Sequence, residues 1–149
     1  MELKYEFYIN AEPGKVWDAL IQPEGTKAAF FGCTLRSTFE EGAAFAYVGP
    51  GAEGNETVHL YGEVLAFEPH KVFSGIEHPG PAYFDNHAEL ESRFTFTLEA
   101  VGQCTKLTLV NDRFTPNHPS LQKAEQSWWM ILSGIKTYVE TGSTLDFGW

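Results

Sequence analysis

His59, Tyr61 and Glu63 are the residues whose types and spacing in this sequence could perform acid–base chemistry. They alternate along "TVHLYGEVLAFEP", a stretch whose pattern predicts a strand. Side chains two residues apart on a strand share a face, so the three groups could act together on a carbonyl substrate. The same spacing is also typical of a solvated outer face of a sheet, which is the commoner situation.

Arg113 could hold an anion at the mouth of a cavity. It continues the alternation of Leu107, Leu109 and Asn111 along the last predicted strand, which places it at the inner end of that strand. A guanidinium there could bind a carboxylate or an enolate. The alternative is an Arg at the rim that pairs with a nearby Glu.

Other chemistries have little support in the sequence. His78, His87 and Glu89 flank a Pro-rich loop, but two ligands on one face do not make a zinc site. The GxSxG and P-loop patterns are absent from the sequence, and no GxGxxG leads from a strand into a helix, since the one at residues 49–54 lies in a Gly-rich turn between two predicted strands. We therefore predict no metal and no cofactor, and we assign no catalytic residue.

The charge of the chain bears on its partners. The 149 residues include 20 Asp and Glu against 10 Lys and Arg, a formal net charge of −10. Such a surface repels phosphate groups, and no basic cluster offsets it. Nucleic acid and anionic membranes are therefore not expected as partners.

The same sequence predicts a cytoplasmic protein. No stretch has the length of a signal-peptide core or of a membrane-spanning helix. Without a secretion signal, Cys33 and Cys104 are expected to be reduced thiols.

The order of predicted elements indicates one α+β domain over residues 1–149. A strand opens the chain, and one or two short helices follow between residues 10 and 31. A helix over residues 119–140 closes it, with apolar residues recurring on one face. Between them lie about six stretches with alternating polarity, which we read as antiparallel strands: "TLRSTF", "AAFAYVG", "TVHLYGEVLAFEP", "KVFSGIEH", "ESRFTFTLEA" and "TKLTLVNDRF".

A sheet of six or seven strands curls, and a curved sheet around one long helix can leave a cavity. Aromatic residues supply more ring surface than a minimal core needs, with 12 Phe, 6 Tyr and 4 Trp. Some of these rings are therefore expected to line that cavity, although an aromatic-rich core is the alternative.

Four stretches in this order resemble the START-like superfamily, also called SRPBCC or helix-grip. They are "AEPGKVWDAL", "GEVLAFEPHKVFSG", "SRFTFTLEAVGQCTKLTLVNDRF" and "SWWMILSGIKTYVETG". Within it they are similar to the branch named for the C-terminal domain of the activator of heat-shock protein 90 ATPase. Ser127 departs from that branch, which commonly has Gly before the Trp. The resemblance implies a helix-grip fold with a hydrophobic pocket, and its members include lipid carriers, polyketide cyclases, self-sacrificing resistance proteins and co-chaperone modules.

Three functions follow as hypotheses. The first is non-enzymatic binding of a hydrophobic or aromatic small molecule between the sheet and the terminal helix. The second is a polyketide cyclase or dehydratase that uses polar residues at the cavity. The third, implied only by the resemblance, is a co-chaperone-like interaction module with a role in the stress response. The expected lining residues are Phe45, Tyr47, His59, Tyr61, Phe94, Phe96, Arg113, Trp128, Leu132 and Ile135.

Trp129 and Met130 suggest a further partner. They are expected to lie on the side of the terminal helix away from its buried face, where they would form a small apolar patch. The sequence therefore predicts a weak homodimer, with a rim position for Trp129 beside the sheet as the alternative.

Overall fold

The alternating stretches form strands, and the stretches with helical periodicity form helices. A computed structural model describes residues 1–148. Its elements, in chain order, are β1 (Leu3–Ile9), α1 (Pro13–Ile21), α2 (Pro23–Ala29), β2 (Thr34–Ser37), β3 (Ala44–Pro50), β4 (Glu56–Glu68), β5 (Val72–Pro79), a 3₁₀ turn (His87–Glu89), β6 (Ser92–Val101), β7 (Cys104–Asp112) and α3 (Leu121–Thr141).

The seven strands form one antiparallel sheet in the order β1-β7-β6-β5-β4-β3-β2. Strands β3 to β7 pair with their chain neighbours, while β1 pairs with β7 and so brings the chain's start beside its end. Helices α1 and α2 follow β1 and pack against α3. The predicted α+β helix-grip architecture is confirmed.

Residues that alternate along the strands place their rings on the face that α3 covers. Phe73 pairs with Phe96 across β5 and β6, and both are almost completely buried. Leu132 and Ile135 of α3 are also completely buried. Phe94 meets both Phe45 and Phe73 edge to face, an arrangement that suits the quadrupoles of the rings, while Phe73 and Phe96 are stacked.

Helix α3 begins two residues later than predicted. Ser120 occupies the N-cap position, so Pro119 belongs to the preceding loop. The helix ends at Thr141, and Gly142 adopts a left-handed conformation with φ of 78°. Glycine carries no Cβ penalty there, which explains the stop.

Strand β4 bends because it contains two extra residues. Between Tyr47 and Val48 of β3 the pairing jumps from Leu60 to Val58, leaving His59 unmatched. A second irregularity leaves Leu65 unmatched against β5. Bulges increase local twist and interrupt the alternation of side chains, which changes where His59 points.

No helix among residues 1–148 is both long enough and apolar enough to cross a membrane. Cys33 is buried and Cys104 is partly exposed, and both are free thiols.

Candidate functional site: a ring-lined cavity beneath α3

A cavity of about 350 Å³ lies between the inner face of the sheet and the first half of α3. The end of α2, the β5–β6 loop and the β7–α3 loop form its mouth. Rings make up much of its wall: Phe30, Tyr47, Phe84, Phe94, Phe96, Phe114 and Trp128.

The size of the side chains on α3 explains why space remains at this end of the molecule. The first half of the helix directs the small residues Ala124 and Ser127 towards the cavity. The second half places Leu132, Ile135 and Val139 in the core, where they are well buried. The helix therefore fills one end of the curved sheet and leaves the other partly open.

Three polar residues, rather than aromatic ones, lie on the inner face of the sheet beside the cavity. Glu77 of β5 lies directly opposite Ser92 of β6, and Asn111 of β7 lies opposite Phe94. Their side chains form a hydrogen-bonded series with the indole of Trp128. The distances are 3.0 Å from Trp128 Nε1 to Asn111 Oδ1, 3.2 Å from Asn111 Nδ2 to Ser92 Oγ, and 3.2 Å from Ser92 Oγ to Glu77 Oε1.

The direction of this series is fixed by chemistry. An indole N–H can only donate, so Asn111 faces Trp128 with its oxygen. The amide nitrogen of Asn111 then donates to Ser92 Oγ and to the backbone oxygen of Arg93, 2.8 Å away. Ser92 accepts from Asn111, so its own proton goes to the carboxyl of Glu77. Each of the three hydrogen bonds that link Trp128, Asn111, Ser92 and Glu77 is therefore donated in the direction of Glu77.

A glycine lies beside Glu77 in the sheet. Gly62 pairs with Glu77 from the neighbouring strand β4. A Cβ at position 62 would lie 1.7 Å from the backbone oxygen of Ile76 and 3.0 Å from the ring of Phe45. Only glycine fits this close approach without a shift of the backbone.

Burial changes the ionisation of Glu77. Removal of its carboxyl from water raises its pKa to about 7, and the hydrogen bond from Ser92 opposes that rise. No Lys, Arg or His among residues 1–148 forms an ion pair with it. A carboxyl that titrates near neutrality can therefore exchange a proton inside an apolar cavity.

Two further titratable groups face this cavity. Burial raises the pKa of the Tyr47 hydroxyl, and the negative charges of Glu77 and Cys33 add to that rise. Burial also raises the pKa of the Cys33 thiol to about 11, so little thiolate exists at neutral pH. Cys33 is therefore a poor nucleophile in this environment.

His59 lies at the mouth of the cavity. Its Nε2 is 2.9 Å from the backbone oxygen of Pro50, which can only accept, so Nε2 carries a proton. In the neutral ring Nδ1 then accepts from the hydroxyl of Tyr83, which belongs to the β5–β6 loop. This contact fastens the loop to β4 beside the opening.

The structure brings five of the ten predicted lining residues to the cavity: Tyr47, His59, Phe94, Phe96 and Trp128. Phe45, Leu132 and Ile135 lie in the core beneath it rather than on its wall. All three belong to the core between the sheet and α3, where other side chains cover them.

Tyr61 lies on the outer face of the sheet, away from the cavity. It stacks on His78 with ring centroids 5.0 Å apart, and its hydroxyl contacts His87 Nδ1. The bulge at His59 separates the two residues, so His59 and Tyr61 do not form the shared acid–base face that regular alternation predicts.

Arg113 is exposed and does not line the cavity. The ladder of β7 ends at Asp112, and Arg113 has a left-handed backbone with φ of 55°. This turn carries its side chain outward and brings Phe114 to the cavity wall instead. The paired guanidinium of this region is that of Arg93, which binds Asp112 at 2.6 Å.

Groups of three or more His, Cys, Asp or Glu able to hold a metal ion do not occur among residues 1–148. His87 contacts Tyr61, and His78 Nδ1 donates to the backbone oxygen of Leu90, so both imidazoles have protein partners.

Glu77 and Ser92 are not among the site residues predicted from the sequence. A signal for Glu77 exists: "KVFSGIEH" places Phe73, Gly75 and Glu77 on one face, and a carboxyl in line with a buried ring is unusual. For Ser92, only the pairing of β5 with β6 places its hydroxyl opposite that carboxyl.

Comparisons with known proteins identify one family and several solved structures that resemble this chain. The sequence pattern of the family described as "Activator of Hsp90 ATPase homolog 1-like protein" matches residues 10–140. None of the curated protein sequences matches the chain.

Solved structures give further similarities. Protein MLL2253 from Mesorhizobium loti is 25% identical with a TM-score of 0.74, over 97% of this chain and 100% of that one. The Aha1 dimer from Colwellia psychrerythraea is 17% identical with a TM-score of 0.70, over 95% and 98%. DynU16, described as a putative protein in the dynemicin biosynthetic locus, is 19% identical with a TM-score of 0.71, over 96% of this chain and 48% of that one. At the two lower identities the likeness concerns the fold alone.

The pattern covers most of the chain, including both helices of the N-terminal region, the whole sheet after β1 and nearly all of α3. This chain therefore belongs to the family of Activator of Hsp90 ATPase homolog 1-like proteins.

Proposed function

We propose that the protein binds a small, largely apolar or aromatic molecule in the cavity beneath α3, without transforming it. The observation that carries this proposal is the cavity itself, with about 350 Å³ of space and a wall built mainly of rings. Its volume lies within the range of small-molecule sites, which are typically mostly apolar with a few polar groups.

The energetics support binding by contact area. Each well-buried apolar group contributes roughly 1.5–3 kcal/mol, so a few ring contacts suffice for micromolar affinity. The polar row of Glu77, Ser92 and Asn111 would then orient the ligand, because a polar group that enters an apolar cavity needs a partner.

The raised pKa of Glu77 favours a second candidate, an enzyme of the cyclase or dehydratase type. A general acid or base works best when its pKa lies near the working pH, and Glu77 meets that condition at about 7. In this alternative Glu77 takes the place that the sequence suggested for His59 and Tyr61. The two candidates differ in whether the protein releases the bound molecule chemically unchanged.

Extraction of bound molecules tests both candidates. The purified protein is incubated with a mixture of aromatic compounds, separated from free compounds and analysed by mass spectrometry, native and after denaturation. Retention of unaltered compounds supports binding, and recovery of altered compounds supports the enzyme.

A matched pair of variants locates the site. Ala124→Phe places a ring in the cavity and should abolish retention, whereas Gln122→Phe adds the same ring at an exposed position of α3 and should leave it intact. Equal retention by both variants would place the ligand elsewhere, and no retention by the wild type would reject a binding cavity.

A further inference from the structure

The carboxyl of Glu77 offers one unsatisfied oxygen to the cavity. Oε1 accepts from Ser92, while no donor among residues 1–148 bonds to Oε2. Lys123 lies at the mouth, but it is exposed and forms no ion pair with Glu77. Glu77 is half-buried, so this oxygen is accessible from the cavity. A carboxyl that is partly removed from water and has no positive partner lacks the interaction that normally offsets its desolvation.

The direction of the hydrogen-bonded series favours an acceptor at Glu77. Trp128 donates a hydrogen bond to Asn111, and Asn111 donates one to Ser92. The hydroxyl of Ser92 then donates to the carboxyl of Glu77. Donors aimed at a carboxyl stabilise its charged form. The series thus prepares Glu77 to receive a further donor from a ligand.

The surroundings favour a ligand that is positively charged. Aromatic faces attract cations, and Tyr47, Phe94 and Trp128 all line the same space. The net charge of −10 raises the local concentration of cations near the surface and lowers that of anions.

We propose that the cavity selects an aromatic molecule with a protonated amine, which pairs with the carboxylate of Glu77 while its rings pack against the aromatic wall. This inference rests on the proposed binding function and specifies the class of ligand.

Binding of such an amine is coupled to the release of a proton from Glu77. Around neutrality Glu77 is partly protonated, so an amine that needs the carboxylate displaces that proton. The other titratable groups that face the cavity are Cys33, Tyr47, His59, Tyr83, His118 and Lys123. Cys33, Tyr47 and Tyr83 have raised pKa values and stay neutral near pH 7, while burial lowers the pKa of His118.

Three probes of similar shape test the inference: naphthylethylamine, naphthylethanol and naphthylacetate. Calorimetric titration at about pH 8 should give an order of affinity of amine, alcohol and acid, with the amine roughly tenfold or more tighter than the alcohol. Below pH 7 the amine should weaken by about tenfold per pH unit and release close to one proton, which titration in buffers of different ionisation enthalpy measures.

Glu77→Gln should bring the ratio of the alcohol and amine dissociation constants close to one. Glu63→Gln removes the same charge from the exposed outer face of β4 and should keep the wild-type ratio. Melting temperatures of both variants verify that they are folded.

The outcomes separate the two proposals. Binding of the alcohol without preference for the amine, or a preference that survives in Glu77→Gln, overturns the amine inference and leaves the cavity's binding function standing. Failure of all three probes to bind overturns the binding function and the inference with it.

Discussion

The indole nitrogen of Trp128 donates to the side-chain oxygen of Asn111 across 3.0 Å, and both residues are buried, with 7% and 0% of their surfaces exposed. This bond joins α3 to β7 at the inner end of the cavity. It also fixes which way the Asn111 amide points, and through Ser92 it determines that Glu77 receives a donor. One contact between helix and sheet thus orders the polar side of the cavity.

Trp128→Phe should destabilise the protein by about 1–3 kcal/mol. The phenyl ring keeps much of the packing against Phe96, but the oxygen of Asn111 loses its donor while remaining buried. Urea unfolding monitored by circular dichroism measures the change.

Trp129→Phe is the matched control. Trp129 is 54% exposed, and a phenyl ring can keep its edge contact with Tyr5, so a change within about 0.5 kcal/mol is expected. Equal losses in the two variants would mean that the bond to Asn111 contributes little.

Glu77 should make the protein less stable as the pH rises from about 4.5 to 7. Its folded pKa of about 7 lies above the ordinary value of 4.5, so the folded state binds more protons than the unfolded state in that window. Below 4.5 both states are protonated and Glu77 contributes nothing. Above 7 the full cost of charging this half-buried carboxyl is present, on the order of 3 kcal/mol.

The difference between wild type and Glu77→Gln isolates this effect. His118 acts with the opposite sign, because its lowered pKa makes stability fall as pH drops, and both proteins share that contribution. Free energies of unfolding by urea at several pH values should show the variant gaining on the wild type up to pH 7. A difference independent of pH would mean that the pKa of Glu77 is not raised.

Ser92→Ala should raise the pKa of Glu77 further. The Ser92 hydroxyl donates to the carboxyl and stabilises its charged form, so its loss favours the protonated acid. Carbon-detected NMR of the labelled carboxyl follows the titration directly. Ser74→Ala makes the same change on β5, where the hydroxyl bonds to Phe94 O and Thr95 on the other face, and should leave the titration of Glu77 unaltered.

The fold could be predicted because local patterns agree with its long-range pairing. The alternation in "SRFTFTLEA" and the apolar stripe of α3 each indicate a buried face, and one sheet covered by one helix satisfies both. Boundaries at turns were less certain, as the start of α3 shows, because Pro119 suits either the loop or the first helical turn.

The site was only partly predictable. Tyr47, Phe94 and Trp128 follow from alternation, but a bulge at His59 depends on the fit between β3 and β4 and leaves no clear mark in the sequence. Arg113 lies one residue beyond the end of the β7 ladder, where alternation no longer applies. The raised pKa of Glu77 results from burial by several elements distant in sequence, so only the assembled structure contains it.

Weak self-association is expected along the β1 edge of the sheet, defined here by Phe7, Tyr8 and Trp129. Strand β1 is an edge strand, Tyr8 is 57% exposed, and the Trp129 ring packs beside Phe7 with much of its surface free. Met130, which the sequence placed in this patch, is half-buried, so Trp129 is its main apolar group. Exposed rings beside an unpaired strand edge favour contact with a second copy.

Light scattering across a concentration series should show the mean mass rising above that of a monomer, and Trp129→Ala should suppress the rise. Leu65→Ala removes an exposed apolar side chain from β4 and should not suppress it. A constant monomer mass in the wild type at high concentration would contradict the dimer.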